Sequence, residues 1–260
     1  MSAPSADVMQ ETVLAWFGES GRDLPWRQTH DPYAILVSEV MLQQTQVPRV
    51  LPRYTEWLER WPTVESLAHA SAGDVIAAWQ GLGYNRRAVN LHRCATAVVA
   101  MGGFPREPAA LERLPGIGPY TAAAVACFAF GAQIATPDVN ARRVLARAFG
   151  DPDMPPPPSR AYDWNQALFD LGATICIARR PRCEACPLQA GCPSAGTVYA
   201  PERKQSRFEG SFRQRRGELL RTLTATGPLP VAGLDRPALD ALVADGLAVV
   251  DGGRAALPGQ

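Results

Sequence analysis

Four cysteines fall within 17 residues, Cys176, Cys183, Cys186 and Cys192, spaced Cys-x6-Cys-x2-Cys-x5-Cys. Thiols that dense, in a chain without a visible secretion signal, favour a metal over disulfides. Structural zinc usually takes two short pairs separated by a longer loop, and here only Cys183 and Cys186 form a close pair. Thiolates also hold iron–sulfur clusters, so spacing alone leaves both metals open. Two carboxylates are the other candidates. Glu39 lies in Ala34-Ile35-Leu36-Val37-Ser38-Glu39-Val40-Met41-Leu42. On a helix its neighbours at i−4, i−3 and i+3 are Ile35, Leu36 and Leu42. A carboxyl on that face is desolvated, which raises its pKa and suits a general acid; a solvent-facing glutamate is the alternative. Asp138 follows Pro137 and precedes a helical run. It reads as a helix N-cap and, in the same position, as a carboxylate able to stabilise a developing cation.

The segment Leu114-Pro115-Gly116-Ile117-Gly118-Pro119-Tyr120-Thr121-Ala122 lies between two helical runs. Pro115 and Gly116 end the first, and Pro119 opens the next. Such a turn leaves backbone N–H groups at a helix N-terminus, where they can hold a phosphate. An ordinary helix–helix turn is the plainer reading. Charge is segregated in support of a polyanion partner. Residues 1–75 hold 5 Arg against 10 Asp and Glu, whereas residues 76–222 hold 19 Lys and Arg against 11. Lys204 is the one lysine among 26 basic residues, so lysine-nucleophile chemistry has a single candidate. Cys94 and Cys127 sit in Ala- and Val-rich helical stretches and read as small buried hydrophobes.

The elements that must position these groups are nearly all helical up to about residue 200. Apolar spacing predicts helices at Val8–Phe17, Tyr33–Leu42, Val50–Leu58, Val75–Trp79, Ala88–Ala100, Thr121–Phe130, Ala141–Phe149 and Tyr162–Leu171. Asp31-Pro32 is a helix start, and Pro155–Pro158 is a stiff connector. A basic linker is predicted over 201–215. Helices at Arg216–Thr224 and Arg236–Asp245 follow, then a hairpin of Leu247–Val250 and Ala255–Leu257 around Asp251-Gly252-Gly253. This order suggests a small winged-helix-like unit over 216–260. With 47% hydrophobic residues in 260, the chain can bury a full core, which excludes global disorder. No apolar run is long enough to span a bilayer, and a cytoplasmic location is the default.

Taken together, these strings resemble the MutY-type adenine DNA glycosylases of the helix-hairpin-helix, endonuclease III superfamily. The resemblance runs from about Phe17 to Ala195. It rests on Leu24-Pro25-Trp26-Arg27, Ser38 to Val47, Gly81-Leu82-Gly83-Tyr84, the hairpin, Asp138-Val139-Asn140 and the cysteine run. It implies a mostly α, two-lobed helix-hairpin-helix glycosylase fold with a [4Fe–4S] loop and the small α+β tail. The six-helix lobe would span about 30–136, and the iron–sulfur lobe 1–29 with 137–200.

The resemblance also assigns roles. Glu39 would protonate adenine at N7, and Asp138 would stabilise the oxocarbenium-like sugar. Tyr120 and Asn140 would orient the site. Tyr120 stands where bifunctional relatives carry the Schiff-base lysine, so β-lyase activity is expected to be weak or absent. Gln43, Gln44 and Thr45 would fill the gap left by the extruded base and bond the opposite base. Leu82 and Tyr84 match the wedge at that base, and Gly116 and Gly118 would hold phosphate. Trp26 is either core or adenine pocket, with Arg27 beside it on the DNA side. Arg179, Arg180 and Arg182 could face phosphate. Cys176, Cys183, Cys186 and Cys192 would bind the cluster, in a structural role. Val139 replaces a common glycine, which bears on loop geometry. The stretch after Cys192 is too short for the Nudix-like domain that many relatives carry, and resembles the shorter actinobacterial form.

The expected activity is hydrolysis of adenine from A:8-oxoguanine or A:G mispairs in duplex DNA, by a monomer acting at the bacterial nucleoid and not at a membrane. A thymine/uracil mismatch glycosylase is the alternative enzyme. An inactive iron–sulfur DNA-binding protein is the alternative from another class.

Overall fold

The structure, a computed structural model, describes residues 4–200 and 207–259. Lys204 and the start of the predicted linker, 201–206, lie outside the described residues. In chain order the helices are α1 (Ala6–Ser20), α2 (Pro32–Leu42), α3 (Val47–Arg60), α4 (Val64–Ala68), α5 (Ala72–Ala78), α6 (Arg86–Ala100), α7 (Pro108–Leu111), α8 (Pro119–Phe130), α9 (Val139–Ala148) and α10 (Ala161–Thr174). Then come α11 (Phe212–Thr226), β1 (Leu229–Pro230), α12 (Arg236–Ala244), β2 (Val249–Asp251) and β3 (Arg254–Ala256). The fold is the mostly helical one expected, with a small sheet after α11. No described helix is long and apolar enough to cross a membrane.

Local chemistry sets the element ends. Ser5 caps α1 by accepting from the Val8 N–H, and Asp138 caps α9. Thr63 and Ser66 form a capping box that starts α4, a helix too short to show in apolar periodicity. Ser211 caps α11 by accepting from the Gln214 N–H, so the helix begins at Phe212. The last residues of the predicted linker, 212–215, are therefore helical. The sheet has three antiparallel strands in the order β1-β3-β2. Its register pairs Leu229 with Ala255 and Val249 with Ala256. The two-residue β1, half proline, carries no strand pattern of its own.

By contact the chain forms two compact units. The first comprises Met1–Pro32, Arg106–Pro108 and Gly118–Lys204, and the second Tyr33–Pro105, Ala109–Ile117 and Gln205–Gln260. In the first unit α1, α9 and α10 share a core of Val13, Leu14, Val144, Leu145, Trp164, Leu168 and Leu171. Cys176, Cys186 and Cys192 pack against it. In this division α8 belongs with that unit, not with the helices from about residue 30. In the second unit Tyr33 to Met41 of α2 are all buried. Three tryptophans stack edge to face beside them. The rings of Trp57 lie 4.7 Å from Trp61 and 5.3 Å from Trp79, centroid to centroid.

The tail does not stand apart from the second unit. Leu219, Leu220, Leu223, Leu239, Leu242 and Leu257 share one core with Ile76 of α5 and Val89 of α6. The Gly73 N–H donates to Pro258 O at 2.8 Å, and Gln80 Nε2 donates to Thr224 Oγ1 at 3.2 Å. Asp245, which ends α12, pairs with Arg216 and, at 3.8 Å, with Arg86.

Candidate functional site

Glu39 is 6% exposed in the second unit, on a helix whose neighbouring side chains Ile35 and Leu36 are each 2% exposed. The solvent-facing alternative is thereby excluded. A run apolar on every face makes α2 a core helix, and Glu39 is held inside it.

The polar run after α2 divides. Gln44 is exposed with φ at +54°, and Gln43 is half-buried. Thr45 is 8% exposed, and its hydroxyl lies 3.4 Å from Leu82 O and accepts from Arg87 at 3.2 Å. Its side chain is thus turned inward, unlike the DNA contact expected. The Gly81–Tyr84 turn divides in the same way. Leu82 is 3% exposed and belongs to the core, while Tyr84 is 52% exposed at φ +47°. Of the two expected wedge residues, the turn presents Tyr84. Trp79 Nε1 donates to Gly83 O at 3.2 Å and braces the turn from below.

Sequence reasoning missed Arg87. Its guanidinium donates to Val40 O, Met41 O and Gln43 O from one nitrogen, at 2.7, 3.1 and 2.7 Å. Another reaches Leu82 O and Gly83 O at 3.2 and 2.9 Å. Burial lowers its pKa to about 10. A signal was available: Arg87 precedes Leu91, Cys94 and Val98 by four, seven and eleven positions, and all three are buried. Helical spacing therefore puts it on the apolar stripe of α6.

Gly116 shows why the hairpin needs glycine. Its φ is +76°, and a Cβ there would sit 2.5 Å from Asn90 Cβ. Val40, Gln43, Arg87, Asn90, Pro115 and Gly116 line one small cavity of the second unit. Gly118 is the N-cap of α8 and gives no side-chain cap, and Pro119 occupies the first turn.

In the first unit, Asp138 Oδ1 accepts from the Asn140 and Ala141 N–H groups at 2.9 and 2.7 Å. Its Oδ2 accepts from Asn140 Nδ2 at 3.0 Å. The cap and the oriented carboxylate are one arrangement. Val139 is 71% exposed, so the valine in place of glycine meets no obstruction. Arg143 Nη2 donates to Asn140 Oδ1 at 2.9 Å and to Gly172 O at 2.8 Å, and Arg143 Nε donates to Cys176 O at 2.9 Å. One guanidinium thus joins the Asp138 cap to the cysteine loop. Gly172 permits this approach, since a Cβ there would lie 2.9 Å from Asn140 Cβ. Tyr120 is half-buried, its ring 6.4 Å from that of Phe169.

Trp26 takes the buried place of its core reading, and Arg27, expected on the DNA side, is held internally. Trp26 is 6% exposed. Arg27 donates to both oxygens of Asp170 at 2.9 and 2.7 Å and to Gln166 Oε1 at 2.7 Å. Asp170, 1% exposed, needs that cation, since a buried carboxylate without a partner is strongly disfavoured. Burial works to raise the Asp170 carboxyl. Hydrogen bonds from Arg27 and the Arg22 N–H, with both guanidinium charges, hold it below the ordinary range.

Cys176, Cys183, Cys186 and Cys192 line one cavity together with Arg147, Ile175 and Pro181. Among the described residues no three His, Cys, Asp or Glu are arranged to hold one metal ion. A single zinc would need all four sulfurs within about 2.3 Å of one point. Four thiols that line one shared cavity suit an iron–sulfur cluster held by four thiolates. Arg147 Nη1 approaches Cys176 Sγ at 3.6 Å, and Arg147 stacks over Tyr199 with Cζ 3.5 Å from the ring centre. Arg179, Arg180 and Arg182 are exposed beside the loop. Cys94 and Cys127 are core residues, their thiols pushed up by burial to about 12 and about 11.

Comparison with known proteins agrees with this geometry. Residues 37–163 match the HhH-GPD superfamily of base excision DNA repair proteins. Residues 176–192 match the iron–sulfur binding domain of endonuclease III, and the cofactor is a [4Fe–4S] cluster. An adenine DNA glycosylase of Mycolicibacterium smegmatis is 44% identical over 283 residues, covering 95% of this chain and 95% of the relative. That of Mycobacterium tuberculosis H37Rv is 42% identical and covers 97% of this chain and 94% of its own length. A human adenine DNA glycosylase is 40% identical, over 77% of this chain and 41% of that protein. Among solved structures, a thermostable thymine-DNA glycosylase superposes with a TM-score of 0.66 at 32% identity, covering 72% of this chain and 94% of its own. Endonuclease III in a non-covalent DNA complex, at 21% identity and a TM-score of 0.62, covers 73% of this chain and 96% of its own and shares the fold.

Proposed function

The chain belongs to the adenine DNA glycosylases of the HhH-GPD base excision repair superfamily, and we propose that it hydrolyses adenine from A:8-oxoguanine and A:G mispairs. The observation that carries this reading is the buried carboxyl of Glu39. A carboxyl in an apolar helix is suited to deliver a proton to a base brought out of the stack.

Glu39 gives its proton to adenine N7. The C1′–N9 bond then breaks with its electron pair leaving on the purine. The sugar becomes oxocarbenium-like, and Asp138, oriented by three hydrogen bonds, stabilises that cation. Water adds at C1′ and loses a proton, giving free adenine and an abasic site. Tyr120 stands in place of a lysine, so the product is released without a Schiff base. Tyr84 and Gln44, both exposed, face the opposite base, and Gln43 supports them. The turn at Gly116 and Gly118 holds phosphate. Cys176, Cys183, Cys186 and Cys192 bind the [4Fe–4S] cluster, which supplies iron–thiolate bonds that fix the loop. The enzyme acts as a monomer on nucleoid DNA.

Single-turnover cleavage of A:8-oxoguanine, A:G, T:G and U:G duplexes tests the assignment. Adenine release from the first two only is the expected pattern, and thymine or uracil release would favour the mismatch glycosylase. Glu39→Gln keeps the shape without the acid, so it should bind duplex and release no adenine. Robust turnover by that variant removes Glu39 from the mechanism.

A further inference from the structure

Arg87 takes no part in the chemistry above, yet its guanidinium reaches seven acceptors. Six are backbone carbonyls, and the seventh is Thr45 Oγ1. No ion pair includes it among the described residues. A buried cation without a counter-charge is a poor device for stability alone, since an apolar side chain could fill the same place on the α6 stripe. What an apolar residue could not do is hold two chain segments in fixed register. The planar fork of arginine can.

The two segments are the ones that matter for opposite-base reading. On one side are Val40, Met41 and Gln43, whose carbonyls end α2 one, two and four residues after Glu39. On the other are Leu82, Gly83 and Tyr84, the turn that presents the Tyr84 ring. The Arg87 Cζ also lies 5.7 Å from the centre of that ring. Both segments and Arg87 belong to the same compact unit.

We infer that Arg87 is the positioning residue that makes adenine release depend on the opposite base, by tying the end of the Glu39 helix to the Tyr84 turn. The inference rests on the roles given to Glu39 and Tyr84 in the proposed function. A displacement of Tyr84 at the opposite base moves the Leu82 and Gly83 carbonyls. The guanidinium passes that movement to the carbonyls that fix the pitch and end of α2. Thr45 is the hydroxyl partner of the same fork, which explains why its side chain is turned inward.

The test compares single-turnover rates on A:8-oxoguanine and A:G duplexes for the intact protein, Arg87→Lys, Arg87→Met and Thr45→Val, with thermal unfolding in parallel. Lysine keeps the charge but lacks the fork. In both Arg87 variants the ratio of the two rates should fall about tenfold, within the usual range of coupling between sites. Thr45→Val should lower it in the same direction by less. A folded Arg87→Lys that slows both substrates by one common factor overturns the inference and leaves Arg87 a helix cap. If neither Arg87 variant folds, the ratio for Thr45→Val decides, and an unchanged ratio overturns it. Wild-type protein whose rate ignores the opposite base would overturn the site reading as well; an unchanged ratio in the variants alone overturns only the coupling.

Discussion

Arg143→Ala should impair both the Asp138 cap and the cysteine loop. The arginine makes hydrogen bonds of 2.9, 2.8 and 2.9 Å to Asn140 Oδ1, Gly172 O and Cys176 O. A hydrogen bond to a charged group contributes about 1.5–3 kcal/mol when well buried. Arg143 is half-buried, so water replaces part of the loss, and about 2–4 kcal/mol of destabilisation is expected in sum. The effect on rate is separable. Asn140 Nδ2 donates to Asp138 Oδ2 at 3.0 Å, and without Arg143 that amide loses its fixed partner on the other side. One net hydrogen bond of about 1–1.5 kcal/mol in the transition state corresponds to roughly a tenfold slower step. Thermal unfolding, visible absorbance per protein and single-turnover adenine release read the three consequences. Full cluster absorbance and a wild-type rate in the folded variant would refute the reasoning, leaving the two backbone donors sufficient to hold Asp138.

Asp170→Asn should destabilise by about 3–5 kcal/mol, since it strands two guanidiniums on a buried neutral group. Because the native carboxyl is held below its ordinary 3.8, its contribution is complete above about pH 4. It is lost as pH falls through the lowered native value, so an acid unfolding profile should be flatter in the variant than in the wild type. Gly116→Ala meets both a positive φ and the Asn90 side chain. It should cost about 1–3 kcal/mol in thermal unfolding and weaken duplex affinity, and unaltered affinity would remove the hairpin from the DNA interface. Truncation after Ala200 uncovers Ile76 and Val89, each worth about 1.5–3 kcal/mol when buried. The shortened protein should therefore unfold at lower temperature before any DNA-binding loss is measured, and an unchanged midpoint would contradict the shared core.

The helices that carry the candidate site were legible because each has strong local patterning. The run around Glu39 put its carboxyl on an apolar helix face, with a solvent-facing glutamate left open until burial decided it, and Pro137-Asp138 marked a capped start. The turn at Gly116 was legible from its Pro-Gly pair, but not the approach of Asn90 to it. What could not be read was pairing across sequence. Arg27 stands on the DNA side only by the resemblance of Leu24-Pro25-Trp26-Arg27 to the family string; its partner Asp170 lies 143 positions away. Leu82 and Tyr84 sit two residues apart in one turn, and only backbone geometry decides which is presented. The β1 strand and α4 are too short to carry a period. Arg87 lay on a visible apolar stripe, but Arg86-Arg87 in sequence resembles an ordinary solvated pair.

The joint core of Ile76, Val89 and the tail has a consequence for the order in which the chain can fold. Translation runs from the N-terminus at about 5–20 residues per second. The helices through Ile117 are then complete some seven to thirty seconds before Leu257 is made. During that interval the first unit can gather its last cysteine, Cys192, while the second still lacks Leu220, Leu239 and Leu257. Closing that core joins residues far apart in sequence, which slows folding. The segment bearing Glu39, Arg87 and Tyr84 is therefore the later to be sealed, although it is among the earlier to be synthesised. Premature release of the nascent chain would leave an incomplete second core, exposing apolar surface that favours aggregation.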